Sequence, residues 1–158
     1  MDVEGRVAIK AQTTVNVPYD KVVNYFRDAD FMRKIQDNVV KFEKLWEKDN
    51  VRVIHVIMKM PGPMSNRQIV AVNTVKVDGD KAIIGNRSCN YPAQLDKDAE
   101  LAKLWVGGFI LEKVDAGKTK VTNVSDIDPK GNIPGFMKNA MASKRAEMME
   151  SLEAKLKQ

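Results

Sequence analysis

The sequence predicts one α+β domain over residues 1–158, in which a curved antiparallel β-sheet wraps around a long C-terminal α-helix and encloses an internal apolar cavity. Three observations predict it. Alternating, β-branched runs separated by turn residues fill most of the chain. One short amphipathic helical segment lies near the start. From residue 132 to 158 the pattern becomes helical, with Met137, Met141, Met148, Leu152 and Leu156 on one face at spacings of four and seven. A straight helix cannot touch a curved sheet along its whole length, and the gap is either packed solid or kept as an apolar space.

Taken in order, Arg6 to Val17 carries Val7, Ile9, Val15 and Val17 in loose alternation and reads as a strand. Pro18 stops it and suits a first helical position. Tyr19, Val22, Val23 and Phe26 then give a short helix over about 18 to 28, ended by Asp28-Ala29-Asp30. A second helical piece, Phe31 to Asp37, leads into strands near 39–48, 51–60, 66–77 and 81–90. Lys48-Asp49-Asn50 and Asp78-Gly79-Asp80 have turn chemistry, while Pro61-Gly62-Pro63 implies a wider loop. Residues 91–102, polar and opened by Tyr91-Pro92, are expected to form an exposed loop. Strands near 103–114 and 118–127 follow, joined at Asp115-Ala116-Gly117, with Asn132 as the expected cap of the last helix.

With 158 residues, 44% hydrophobic and 30% charged, the chain has the apolar content for one core. A single cysteine, Cys89, excludes an internal disulfide. The first ten residues lack a signal-peptide pattern, and no run approaches the roughly 20 apolar residues of a membrane span, so a cytoplasmic monomer is expected. The net charge of +5 is spread among acids through every segment, which argues against nucleic acid and reads as a soluble surface with a modest basic excess, with transient contact with anionic membrane surfaces as the alternative.

Strand parity divides the side chains into two faces. Ile54, Val56, Met58 and Met60 are assigned inward, with Arg52 on the same parity, and Val53, His55, Ile57 and Lys59 outward. In the next strand Arg67, Ile69, Ala71, Asn73 and Val75 are assigned inward, and Gln68, Val70, Val72, Thr74 and Lys76 outward. Arg67, Asn73 and Asn123 would serve either a ligand headgroup or an internal polar network, because burying them alone is costly. On the helix, Phe136, Met137, Ala140 and Met141 are expected to face the same space, where methionine adapts its shape to flexible chains.

Catalytic chemistry is not expected. His55 is the only histidine, Cys89 has no basic neighbour except Arg87, and Asp126 and Asp128 stand at a turn. No metal site or cofactor is expected, and Gly107-Gly108, inside a strand, reads as a bulge or a close approach.

Met60-Pro61-Gly62-Pro63-Met64-Ser65-Asn66-Arg67 resembles the Pro-x-Pro-x-Ser-x-Arg-Asp segment of START (StAR-related lipid-transfer) domains. Asp128-Pro129-Lys130-Gly131-Asn132-Ile133-Pro134, ahead of a helix with Asn139 in its second turn, is similar to the family's lead into its last helix. Asp28-Ala29-Asp30-Phe31-Met32-Arg33-Lys34 resembles its Asp-x-Asp segment. The resemblance implies a helix-grip fold of the Bet v 1-like superfamily, here a short single-domain member. It also implies one lipid or other hydrophobic molecule in the cavity, for transfer or sensing, gated by the C-terminal helix and the loop Pro61, Gly62, Pro63, Met64 and Ser65. Gln68 stands where the family has Asp, most of the family's N-terminal extension is lacking, and Ile54 and Asn73 occupy positions where sterol-binding relatives place a buried charged pair. The last departure implies an apolar pocket middle suited to a neutral lipid, fatty acyl compound or isoprenoid. The alternatives are a polyketide cyclase or hydrolase of the same superfamily, and an interaction module whose cavity is filled by Phe136, Trp105 and Met141.

Overall fold

Turn residues and strand patterning place the elements of the computed structural model within a few residues of the sequence expectation. The structure describes residues 5–28 and 30–158, so the first four residues and Ala29 of the Asp-x-Asp segment lie outside the described residues. In chain order the elements are β1 (Val7–Val15), α1 (Tyr19–Arg27), α2 (Phe31–Ile35), β2 (Val39–Lys48), β3 (Val51–Met58), β4 (Arg67–Asp78), β5 (Lys81–Ser88), β6 (Glu100–Leu101), β7 (Lys103–Asp115), β8 (Lys118–Asp128) and α3 (Gly135–Leu156). They form one eight-stranded sheet in the order β1-β8-β7-β5-β4-β3-β2, with β6 beside β4.

One local expectation needs correction, and two gain detail. Asn132 does not cap α3. Pro134 holds the N-cap position at φ −61° and ψ 150° without a side-chain cap, because its fixed φ already sets the turn into the helix. The sheet is antiparallel, with the two-residue β6 alone pairing in parallel with β4 at Arg67–Glu100 and Gln68–Leu101. Residues 91–102 are mostly exposed, as expected, but Asp96 and Ala99 are hydrogen-bonded to Gln68, and His55, Gln68 and Val70, assigned outward, are buried.

Gly108 shows why the long strands can cross closely. Its φ is +138°, and a Cβ there would stand 1.8 Å from the Ile84 carbonyl oxygen, so any side chain would separate β5 from β7. Three residues earlier the β7–β8 register shifts between Leu104 and Val106, a bulge that turns Trp105 outward.

Two apolar clusters lie between sheet and helices. The first joins α1, α2 and the C-terminal half of α3 to β5, β7 and β8, and holds Phe26, Phe31, Leu111, Leu152 and Leu156 at 2% exposure or less. Its rings interlock, with Phe26 centred 4.7 Å from Phe109 and 4.8 Å from Phe31. Each such buried side chain contributes about 1.5–3 kcal/mol. The second cluster holds Ile54, Val56, Ile69, Ala71, Ala102 and Ile127, bordered by half-buried Met58, Phe42, Leu104 and Met141.

Candidate functional site

Between the two clusters runs a row of polar side chains on the inner face of the sheet. The registers align Arg52 with Asn73, Asn73 with Asn86, Asn86 with Gly107 and Gly107 with Ser125. Arg52 Nε donates to Asn73 Oδ1 at 2.9 Å, and Asn73 Nδ2 donates to Asn86 Oδ1 at 2.6 Å. The Arg52 side chain is buried, and no carboxylate forms an ion pair with it among the described residues. A guanidinium withdrawn from water in this way costs several kcal/mol unless its remaining donors find acceptors. Two residues earlier on β8, Asn123 Nδ2 donates to the Gly108 carbonyl at 2.9 Å, while its buried Oδ1 has no partner. The expectation of an apolar pocket middle is therefore corrected: β3 carries a cation there, two residues before Ile54.

The helix adds a second cation. Arg145 lies four residues after Met141 and three before Met148, on the face that α3 turns inward, and it is half-buried. Desolvation alone pushes its guanidinium below the usual range, and no neighbouring charge offsets that.

The residues assigned inward by parity are mostly buried. Ile54, Val56, Ile69 and Ala71 are buried in the second cluster, Met58 and Met141 border it, and Ala140 is half-buried. Met60 and Met137 are buried near the 61–66 loop, with a Cβ at Gly62 standing 3.8 Å from the Met137 methyl. Phe136 is the exception. It is 70% exposed, on the outer side of the first turn of α3, and Trp105 is also partly exposed, so neither fills the interior.

The START domain model matches residues 7–158, nearly the whole chain. The chain belongs to the START domain family. START domain-containing protein 10 of mouse and of human is 24% identical over 126 residues, covering 78% of this chain and 43% of that protein. The chain thus spans less than half the length of these curated relatives. The crystal structure of human STARD10 superposes with a TM-score of 0.79 at 21% identity, over 95% of this chain and 62% of that one. A STAR-related lipid transfer protein from Xanthomonas axonopodis gives 0.77 at 21% identity, over 100% and 97% of the two chains. Identities this low speak to the helix-grip fold alone. START domains as a family bind lipids or other hydrophobic ligands.

In this START domain Arg67 is spent on the loops. Its Nε donates to the Pro129 carbonyl at 2.5 Å, Nη1 to the Ser65 carbonyl at 2.5 Å and Ser65 Oγ at 3.0 Å, and Nη2 to the Lys130 carbonyl at 3.2 Å. Arg67 thereby clamps the 61–66 loop to the turn that leads into α3, and its hydrogen bonds go to protein oxygens rather than toward the interior. Asp126 and Asp128 are likewise engaged, the first by Arg6 and the second by Lys130 Nζ at 2.7 Å, and neither stands ready for proton transfer. Hydrogen bonding from Lys130 holds the Asp128 carboxyl below its usual range.

His55 is fully buried, 3.0 Å from Gln68 Oε1 through Nε2. Gln68 Nε2 donates to the Asp96 and Ala99 carbonyls at 2.7 Å each, and its Oε1 accepts the Asp96 N–H at 3.0 Å. This fixes the amide orientation and makes His55 Nε2 the donor, which places the ring among structural residues. The Gln68 departure from the family pattern thus has a local use, as an amide binds both a carbonyl and an N–H of the 89–99 segment where a carboxylate could only accept.

No helix among the described residues is long and apolar enough to cross a membrane, and no cluster of potential metal ligands occurs among them.

Proposed function

We propose that this START domain carries or senses one lipid bound between the sheet and α3, with an acidic or strongly accepting headgroup at Arg52. The observation that carries this reading is the buried guanidinium with a single neutral hydrogen-bond partner, Asn73, on a face otherwise lined by Ile54, Val56, Ile69 and Ala71. Arg145 adds a second inward cation, and Asn123 Oδ1 an acceptor available to a ligand hydroxyl. Met58, Met60, Met137, Ala140 and Met141 would border the chain of the lipid, whereas Arg67 would act by holding the gate rather than by touching ligand.

The space now left beside Phe31, Phe42, Arg52 and Asn73 is about 10 Å³, room for one water. A lipid is therefore admitted by moving the first half of α3, in which Met137 is buried and Met141 only half-buried, together with the 61–66 loop. The C-terminal half, anchored by Met148, Met149, Leu152 and Leu156, serves as the fixed end.

The test is native mass spectrometry of the purified chain after incubation with vesicles containing phosphatidate, phosphatidylserine, phosphatidylcholine and cholesterol, with extraction of the bound species. One acidic phospholipid per chain is expected, and Arg52→Met should abolish the preference for the acidic species. Equal uptake of neutral lipid by both proteins would refute the headgroup assignment, and no uptake by either would refute the carrier.

A further inference from the structure

A second space lies where the ladder itself opens. β4 pairs with β6 at Arg67 and Gln68 but with β5 only from Ala71 onward, and β7 meets β5 only from Gly107. Val70, the end of β5 and residues 101–104 therefore frame a gap. It is crossed by Cys89 N–H to the Val70 carbonyl at 3.0 Å, Ala102 N–H to the Gln68 carbonyl at 2.9 Å and Leu104 N–H to Ser88 Oγ at 2.8 Å. The 89–99 segment arches over this gap, tied down by Gln68, and leaves a cavity of about 900 Å³. That is at the upper end of the size of small-molecule sites.

The walls of this cavity are of two kinds. Arg87, Lys103 and Lys130 supply three cations, and no Asp or Glu lines it. Lys130 is neutralised by Asp128. Arg87 makes no hydrogen bond or ion pair among the described residues, and Lys103 lies 3.7 Å above the Trp105 ring rather than in an ion pair. Facing them are Tyr91, Leu95 and Leu101, which are 37%, 45% and 51% exposed, beside Leu104. Asp128 opposite Lys103 offsets part of that charge and leaves Arg87 as the unpaired cation. Large apolar side chains grouped around a concavity, with such a cation at its rim, suit a ligand that is apolar at one end and anionic at the other.

We propose that the cavity under the 89–99 segment is a second binding site, for one anionic amphiphile whose carboxylate or phosphate group meets Arg87 and Lys103 and whose apolar chain lies against Leu95, Leu101 and Leu104. The site shares no residue with the polar row on the inner face, while Ala102 and Leu104 belong both to its wall and to the second cluster, so the Arg52→Met control below separates the two sites.

Cys89, the only cysteine of the chain, lines this cavity and reports on it directly. The experiment measures the rate of Cys89 alkylation by N-ethylmaleimide with laurate, dodecyl phosphate, dodecyl alcohol or inorganic phosphate, all below micellar concentrations. Laurate or dodecyl phosphate at about ten times its Kd should slow alkylation about tenfold by occupancy alone, and the stronger of the two identifies the headgroup. Dodecyl alcohol and inorganic phosphate should protect weakly. Arg87→Glu combined with Lys103→Glu, both exposed positions, should remove the protection, and Leu101→Asp should weaken it, while Arg52→Met leaves it intact. Equal protection by the alcohol, protection that survives the double substitution, or no protection by either anion overturns the proposal. Loss of protection in Arg52→Met would instead assign the effect to the inner face.

Discussion

The two apolar clusters on either side of the Arg52–Asn73–Asn86 row differ in make-up and behave differently. In the first, three phenylalanine rings and two leucines of α3 are sealed from solvent, with ring centroids under 6 Å apart. The second has no aromatic ring among its buried residues, which keep 2–8% exposure against 0–7% in the first, and its border includes half-buried Met58, Phe42, Leu104 and Met141 where that of the first includes Tyr25 and Met32. The one helix α3 spans both, so it is fixed at its C-terminal end and loosely held at its start. A dense core resists opening because any gap loses contacts that nothing else replaces, whereas methionine borders adapt to a changed volume. The contrast assigns anchoring to the first cluster and ligand exchange to the second.

The contrast is most severely tested at Leu152. With no exposed surface in the first cluster, Leu152→Ala should lower unfolding stability by about 3–4 kcal/mol in urea titration. A loss below about 1 kcal/mol would show that the anchoring end is as soft as the other. At the row between the clusters the sign reverses. Arg52→Met replaces a buried cation that has no direct ion pair among the described residues with an apolar chain of similar length, and should raise stability by up to about 1 kcal/mol even as it removes headgroup preference. Destabilisation on that scale would mean that the guanidinium already has its full set of partners. In the second cluster Met141→Ala should cost about 1 kcal/mol or less, because the residue is half-buried, yet should speed lipid loss in a vesicle-transfer assay.

The smallest effect concerns acid. Lys157, then Asn16, hold the Glu153 carboxyl down to about 2, and the Asn16 N–H bond at 2.9 Å ties the anchored end of α3 to the β1–α1 link. A depressed carboxylate contributes stability above its ordinary range and loses it as pH falls toward about 2. Glu153→Gln should therefore lower the neutral-pH melting temperature slightly, leave it unchanged near pH 2, and so flatten the decline between about pH 4.5 and pH 2. An unchanged acid limb would detach Glu153 from the anchor.

Much of this was legible in the chain. Alternation put Ile54, Val56, Ile69 and Ala71 on the inner face, helical spacing put Met148, Leu152 and Leu156 against the core, and the Pro-Gly-Pro and Asp-Pro-Lys-Gly segments carried the family resemblance. The same parity rule held the signal for Arg52, two residues before Ile54, and the same helical spacing held it for Arg145, four residues after Met141. Those periods say which face a residue takes, but whether a cation on that face meets a carboxylate depends on strands distant in sequence.

The sequence by itself determined the order of elements, the inward faces and the family, because backbone periodicity and turn chemistry act over a few residues. Only the tertiary structure decided that Arg67 clamps two loops, that Phe136 points outward, and that residues 91–102 cover His55 and Gln68 while opening a cavity beside them. Each of these depends on contacts between segments 28 to 63 residues apart, such as Gln68 with Asp96 and Arg67 with Lys130, or on which side of a helix is left unpacked. Local pattern carries no information about either.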